Sequence, residues 1–173
     1  IGETIIEGKL NKLNIKTDQK TRVAVAATAK GYPTDYLTVK GKTIYALDRA
    51  RIDIRTQNAS VMVEGQMDVL ACHQAGFKNV VAVSGTALTS DQLKILARYS
   101  PNIIFSFDSD SAGKTALKRA ITMALSNDIN AKVLALPCFK DPDEAIKSDP
   151  KNFQLAVKSA KPSLEYWIDT LVL

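Results

Sequence analysis

Two short apolar runs end abruptly in acid. Val61-Met62-Val63 leads into Glu64-Gly65, and Ile103-Ile104-Phe105-Ser106-Phe107 leads into Asp108-Ser109-Asp110. Carboxylates are hard oxygen donors, and three of them at two strand ends suit a divalent cation. In extended backbone alternate side chains share a side, so Asp108 and Asp110 are expected to point together and Ser109 away. Such carboxylates repel and raise each other's pKa unless a cation lies between them. Ser111-Ala112-Gly113 then turns the chain into a helix whose N-terminus favours phosphate. Asp68 lies one helical turn beyond Glu64, and Asp141-Pro142-Asp143-Glu144 follows a further apolar run ending at Leu136. Taken singly, Asp108, Asp110 or Asp143 fits a helix N-cap equally well. The recurrence of acids after successive strands is what points to a site.

The elements that must position these acids alternate. Short β-branched runs at Ser60–Val63, Val80–Val83, Ile103–Phe107 and Lys132–Leu136 read as buried strands. Between them, helices are expected over Met67–Ala75, stopped by Gly76, over a segment opened by the capping box Thr89-Ser90-Asp91-Gln92, and over Ala112–Leu125. Leu117, Ile121, Ala124 and Leu125 form the apolar stripe of the last of these. Strands alternating with helices imply βαβ units and a parallel sheet, which binds ligands beyond its carboxyl edge. An earlier helix over about Ile44–Ile54 carries Arg49, Arg51 and Arg55. Asp149-Pro150 opens another, and Pro162 starts a final one whose packing face is Leu164, Trp167, Ile168 and Leu171. Upstream, Val23–Thr28 reads as a strand and Lys30–Asp35 as a turn. His73 reads as a helix-face residue and Trp167 as core. Tyr32 and Tyr36, near Lys30, Lys40 and Lys42, are either ordinary loop residues or a stacking platform for nucleic acid.

Composition narrows the classes. The 173 residues, 46% hydrophobic and 24% charged, suffice for one globular domain. No apolar run approaches the roughly 20 residues needed to cross a bilayer, and no signal peptide is visible. Cys72 and Cys138 form no CxxC pair, which leaves a reducing, cytoplasmic setting as the expectation. The net charge of +5 is compatible with a polyanionic partner and equally with a solvated surface rich in Lys. The chain does not open on Met and is expected to belong to a longer one.

Four segments in order carry a resemblance. They are Val61-Met62-Val63-Glu64-Gly65-Gln66-Met67-Asp68-Val69, Ser84-Gly85-Thr86-Ala87-Leu88-Thr89, Phe107-Asp108-Ser109-Asp110-Ser111-Ala112-Gly113-Lys114 and Lys140-Asp141-Pro142-Asp143-Glu144. Together they resemble the Toprim portion of bacterial replicative DNA primase, from about Lys40 to the C-terminus. The family usually has an aromatic where Gln66 stands and often Gly where Ser109 stands; neither departure removes a carboxylate. The resemblance implies an α/β fold: a Toprim-like parallel sheet flanked by helices over 43–147, a short N-terminal extension over 1–42 and a C-terminal helical tail over 148–173. It implies RNA primer synthesis on a single-stranded DNA template from ribonucleoside triphosphates, with a replicative helicase as partner of the full-length family protein. Glu64, Asp108 and Asp110 would hold Mg²⁺, or Mn²⁺ in its place. Asp68, Asp141 and Asp143 would be further acids of the site, and Lys40 and Lys42 would contact nucleotide or template.

Residues 1–38 are instead similar to a C-terminal piece of phosphoribosylamine–glycine ligase, too short to carry that enzyme's ATP site. The zinc module, basic N-terminal half and helicase-binding region of the primase family are not visible. The chain is therefore expected to bind Mg²⁺ yet prime weakly or not at all alone. Two alternatives stand beside this reading: another Toprim enzyme, a topoisomerase or nuclease, and a non-catalytic nucleic-acid-binding Toprim module.

Overall fold

The computed structural model describes residues 41–83 and 87–172. The strand expected over Val23–Thr28, the Lys30–Asp35 turn, Tyr32, Tyr36, Lys40 and the Ser84-Gly85-Thr86 turn lie outside the described residues. In chain order the elements are α1 (Leu47–Gln57), β1 (Ser60–Val63), α2 (Gln66–Gln74), β2 (Val80–Ala82), α3 (Ser90–Ala97), β3 (Asn102–Ser106), α4 (Ser111–Leu125), β4 (Asn130–Val133), α5 (Pro142–Ser148), α6 (Pro150–Lys158), β5 (Lys161–Pro162) and α7 (Ser163–Val172).

The sheet has the order β2-β1-β3-β4-β5. The first three pairings are parallel, as the alternation of strands and helices requires. β5 runs antiparallel to β4, so the sheet is mixed and not wholly parallel. Pro162, expected to start the last helix, lies in this edge strand. The position is one that a residue without an N–H tolerates.

Side-chain alternation divides the core between two sheet faces. Met62, Val81, Ile103 and Phe105 point to one face and pack with Ala50 and Ile54 of α1, Leu93 and Leu96 of α3, and Leu117 and Ile121 of α4. Val61, Val63, Val80 and Ile104 point to the other and pack with Val69 and Cys72 of α2, Ile146 of α5 and Phe153 of α6. The result is three layers. Burial of these side chains on both faces is the main term holding the sheet between its helices.

Local signals mark most ends. The Thr89 hydroxyl accepts the Gln92 N–H at 3.2 Å, and the Gln92 side-chain oxygen accepts the Thr89 N–H at 3.0 Å, a reciprocal capping box. α2 is followed by Gly76 at φ +94°, a turn that a side chain would strain.

Other expectations are corrected. α1 begins three residues later than its period suggests, because Tyr45 bridges to Ala82 and Ala46 adopts a left-handed conformation at the N-cap. β4 begins two residues early and ends at Val133, where β3 ends its pairing. Asp141-Pro142-Asp143-Glu144, read as an acidic group alone, opens a helix, α5, with Asp141 as N-cap. The packing face of α7 is also different. Leu164 and Ile168 are 58% and 62% exposed, whereas Tyr166 and Trp167 pack against the core. Leu125, placed on the buried stripe of α4, is exposed.

Candidate metal centre

Register brings the acids together. Val63 is paired with Ser106, so β1 and β3 deliver Glu64 and Asp108 to the same carboxyl edge of the sheet. The Glu64 Oε1 accepts the Asp108 main-chain N–H at 3.1 Å. Asp110 sits at the start of α4, where its Oδ1 accepts the Gly113 N–H at 2.7 Å. It is thus an N-cap and a member of the acidic group at once. Gly113 is required by close approach: a Cβ there would lie 2.2 Å from the Asp108 carbonyl oxygen and 2.9 Å from Glu64 Oε1.

The remaining acids form a neighbouring arc. Asp68, only 7% exposed, accepts the Gly65 N–H at 3.1 Å and the Asp143 N–H at 3.3 Å. Asp141 caps α5 by accepting the Glu144 N–H at 2.8 Å. The Asp143 carboxylate pairs with Lys147 one turn on. The loop ahead of α5 is tied to the β3–α4 loop, since the Ser109 N–H reaches the Lys140 carbonyl at 3.1 Å. Lys42 lies 4.0 Å from Asp91 at the start of α3, with both side chains exposed. His73 bonds the Val80 carbonyl at 2.9 Å, a structural role.

The electrostatics follow from crowding and burial. Partial burial raises the Glu64 pKa; the Asp108 N–H opposes this, and the Asp108 and Asp110 charges add to it. Burial likewise raises Asp108, helped by Asp141 and Asp110 and opposed by Lys140. Burial pushes Asp68 up to about 6, although the Asp143 and Gly65 N–H groups favour its charged form. Among the described residues no three Asp, Glu, His or Cys side chains are arranged to hold an ion as they stand. The donor chemistry nevertheless fits a hard divalent cation: every candidate donor is a carboxylate oxygen, and neighbouring carboxylates raise each other's proton affinity. A cation in place of those protons removes the repulsion.

Sequence reasoning placed Glu64 and Asp108 just past strand ends, as the structure has them, and Asp110 with them, where the structure makes it the N-cap of α4. It missed Gly113, whose signal is a glycine inside the first turn of a helix, where glycine is otherwise costly. It also missed the bridging role of Asp68, for which the short-range signal was an acid three residues after Gly65.

Residues 61–146 match the Toprim-like family. Curated relatives include the DNA primases of Synechocystis sp., 39% identical over 149 residues covering 81% of this chain, and of Clostridium acetobutylicum, 36% identical over 138 residues covering 79%. The chain carries a Toprim-like domain and is homologous to DNA primases over it. It spans 24% and 23% of those two relatives. Among solved structures, the Aquifex aeolicus primase (zinc-binding and RNA polymerase domains) superposes with a TM-score of 0.71 at 33% identity, covering 76% of this chain and 33% of that one. A DNA primase domain from Pseudomonas aeruginosa gives 0.70 at 36% identity, covering 76% and 43%. Toprim primases as a class are metal-dependent. No described helix is long and apolar enough to cross a membrane.

Proposed function

We propose that the chain is the metal-binding nucleotidyl-transfer core of a DNA primase, acting in the synthesis of short RNA primers on single-stranded DNA. The observation that carries this reading is the delivery of Glu64 from β1 and of Asp108 and Asp110 from β3 and α4 to one sheet edge. Glu64, Asp108 and Asp110 would hold Mg²⁺, with Mn²⁺ as the alternative ion. When bound, such an ion would supply Lewis-acid chemistry, offsetting negative charge on the nucleotide's phosphates and lowering the pKa of the primer 3′-hydroxyl.

The chain's own residues do the positioning. Glu64 fixes the main chain of Asp108, and Gly113 lets the α4 N-terminus close against both. That N-terminus also offers a partial positive charge to a phosphate. Asp68 orients the α5 N-terminus and hence Asp141 and Asp143. Lys40 and Lys42 are assigned to nucleotide or template contact. Single-stranded DNA and ribonucleoside triphosphates are the proposed ligands, and a replicative helicase is the partner of the longer family protein. One related structure is a primase catalytic domain bound to single-stranded DNA, 32% identical over 76% of this chain, with a TM-score of 0.68.

The test is ribonucleotide incorporation on a single-stranded DNA template with Mg²⁺, beside calorimetric titration with Mg²⁺ and Mn²⁺. Wild type is expected to bind the ion and to incorporate weakly, and Glu64→Gln or Asp108→Asn to lose about 10²-fold or more of the incorporation. Ion binding and incorporation unchanged in both variants would remove the assignment. Strand nicking or relaxation in place of incorporation would favour another Toprim chemistry.

A further inference from the structure

Two cavities beside the acidic centre share a wall. The inner one, about 270 Å³, reaches Asp108, Ser109 and Lys140. The outer one, about 390 Å³, lies between α4 and α7 and is lined by Lys114, Leu117, Lys118, Tyr166, Trp167 and Thr170. Lys114, Leu117 and Tyr166 border both, so the inner cavity adjoins the α4–α7 groove and extends its lining to Asp108.

The chemistry of this groove is divided. Its floor is apolar and aromatic: Leu117 is buried, and Tyr166 and Trp167 are partly buried against the core. Its rim is basic: Lys114 and Lys118 are exposed and one turn apart on α4, a spacing of about 5–6 Å between their Cβ atoms. Among the described residues neither ammonium has a carboxylate partner, unlike those of Lys147 and Lys161. An apolar peptide would use the floor and leave two charges without a counterpart. A single strand of nucleic acid uses both, with flat bases for the aromatic faces and phosphates for the lysines.

We propose that the α4–α7 groove binds single-stranded nucleic acid, with a base against Trp167 and phosphates on Lys114 and Lys118. Its inner end opens beside Asp108, so a strand lying in it runs to the acidic centre. The assignment rests on the nucleotidyl-transfer reading only for that direction; the test is binding in chelator, so either can fail alone.

Trp167 is the sole tryptophan of the sequence and reports on its own surroundings. A deoxythymidine oligomer of about 12 nucleotides, titrated into the chain in chelator, is expected to quench its emission. Fluorescence anisotropy of a labelled oligomer should give the same affinity. The exposed-rim variant Lys114→Gln/Lys118→Gln is expected to weaken binding by about 10-fold or more and to lower the salt slope by about 1.4, two phosphate contacts at roughly 0.7 each. Oligomer binding without any change in Trp167 emission would overturn the proposal. So would no binding at all, or a quench that the lysine substitutions leave intact.

Discussion

The Asp68 carboxylate holds the main chain of Asp143, accepting its N–H at 3.3 Å across 75 residues of sequence while its other oxygen accepts the Gly65 N–H at 3.1 Å. One buried side chain thus joins the turn after β1 to the start of α5. Removing it strands two N–H donors. Asp68→Ala is expected to cost about 2–3 kcal/mol, since each unsatisfied buried donor costs roughly 1–3 kcal/mol and the site relaxes in part. Asp68→Asn keeps one acceptor and discards a poorly solvated charge, so at neutral pH it should be at least as stable as wild type. Urea denaturation of the three proteins measures both.

The same carboxyl gives the cation-free chain an unusual pH dependence. Asp68 keeps its proton to about pH 6 when folded, against an ordinary value of 3.8. Between those values the folded state binds more protons than the unfolded state, so stability falls as pH rises through the window. The span corresponds to roughly 3 kcal/mol. Glu64 and Asp108, also raised, push in the same direction. Urea midpoints in chelator should therefore decline from about pH 4 to about pH 7, and Asp68→Asn should remove most of the decline. A wild-type midpoint that rises across the window would refute this account.

A glycine-to-alanine change offers a sign test. In a helix, alanine normally gains about 1 kcal/mol over glycine. At Gly113 the new Cβ would lie 2.2 Å from the Asp108 carbonyl oxygen and 2.9 Å from Glu64 Oε1. Gly113→Ala is expected to destabilise the chain by about 1–3 kcal/mol through overpacking. Thr115→Ala, at an exposed position of the same helix, should be neutral or mildly stabilising. Thermal melts of the pair decide the matter.

Divalent cations should invert the cost of the acidic group. Wild type in chelator carries the repulsion of Glu64 with Asp108 and Asp110. Mg²⁺ at about 100 times its Kd would add ~2.7 kcal/mol and raise Tm. Glu64→Gln and Asp108→Asn should each raise Tm in chelator, because a repelling charge is gone, and blunt the Mg²⁺-induced rise. The Gln oxygen still accepts the Asp108 N–H, so the Glu64 variant isolates charge from geometry. A full Mg²⁺-induced shift in both variants would place the cation elsewhere.

Much was legible in the residues themselves because it depends on neighbours in sequence. β-branched runs ending in Glu64 and Asp108, the Thr89–Gln92 capping box and the Gly76 stop are short-range signals, and each lies where its chemistry predicts. What the acids do to one another depends on strand register and loop path. Glu64 reaches the Asp108 main chain across 44 residues, and nothing local in either segment specifies that bond. The final helix shows the limit most directly. Leu164, Trp167, Ile168 and Leu171 form one stripe at helical spacing; Ser163, Tyr166, Trp167 and Thr170 form another, and Trp167 belongs to both. Periodicity alone cannot choose between two stripes of one helix. The choice came from what lies opposite: β5 turns antiparallel along β4, Ser163 is buried directly after it, and Tyr166 and Trp167 face the core while Leu164 and Ile168 face outward. Sequence indicated which residues could carry chemistry and where most strands and helices lie, because those follow from side-chain type and spacing. Tertiary packing decided which carboxylates share a field and which aromatics line a groove, because both are set by contacts between distant segments.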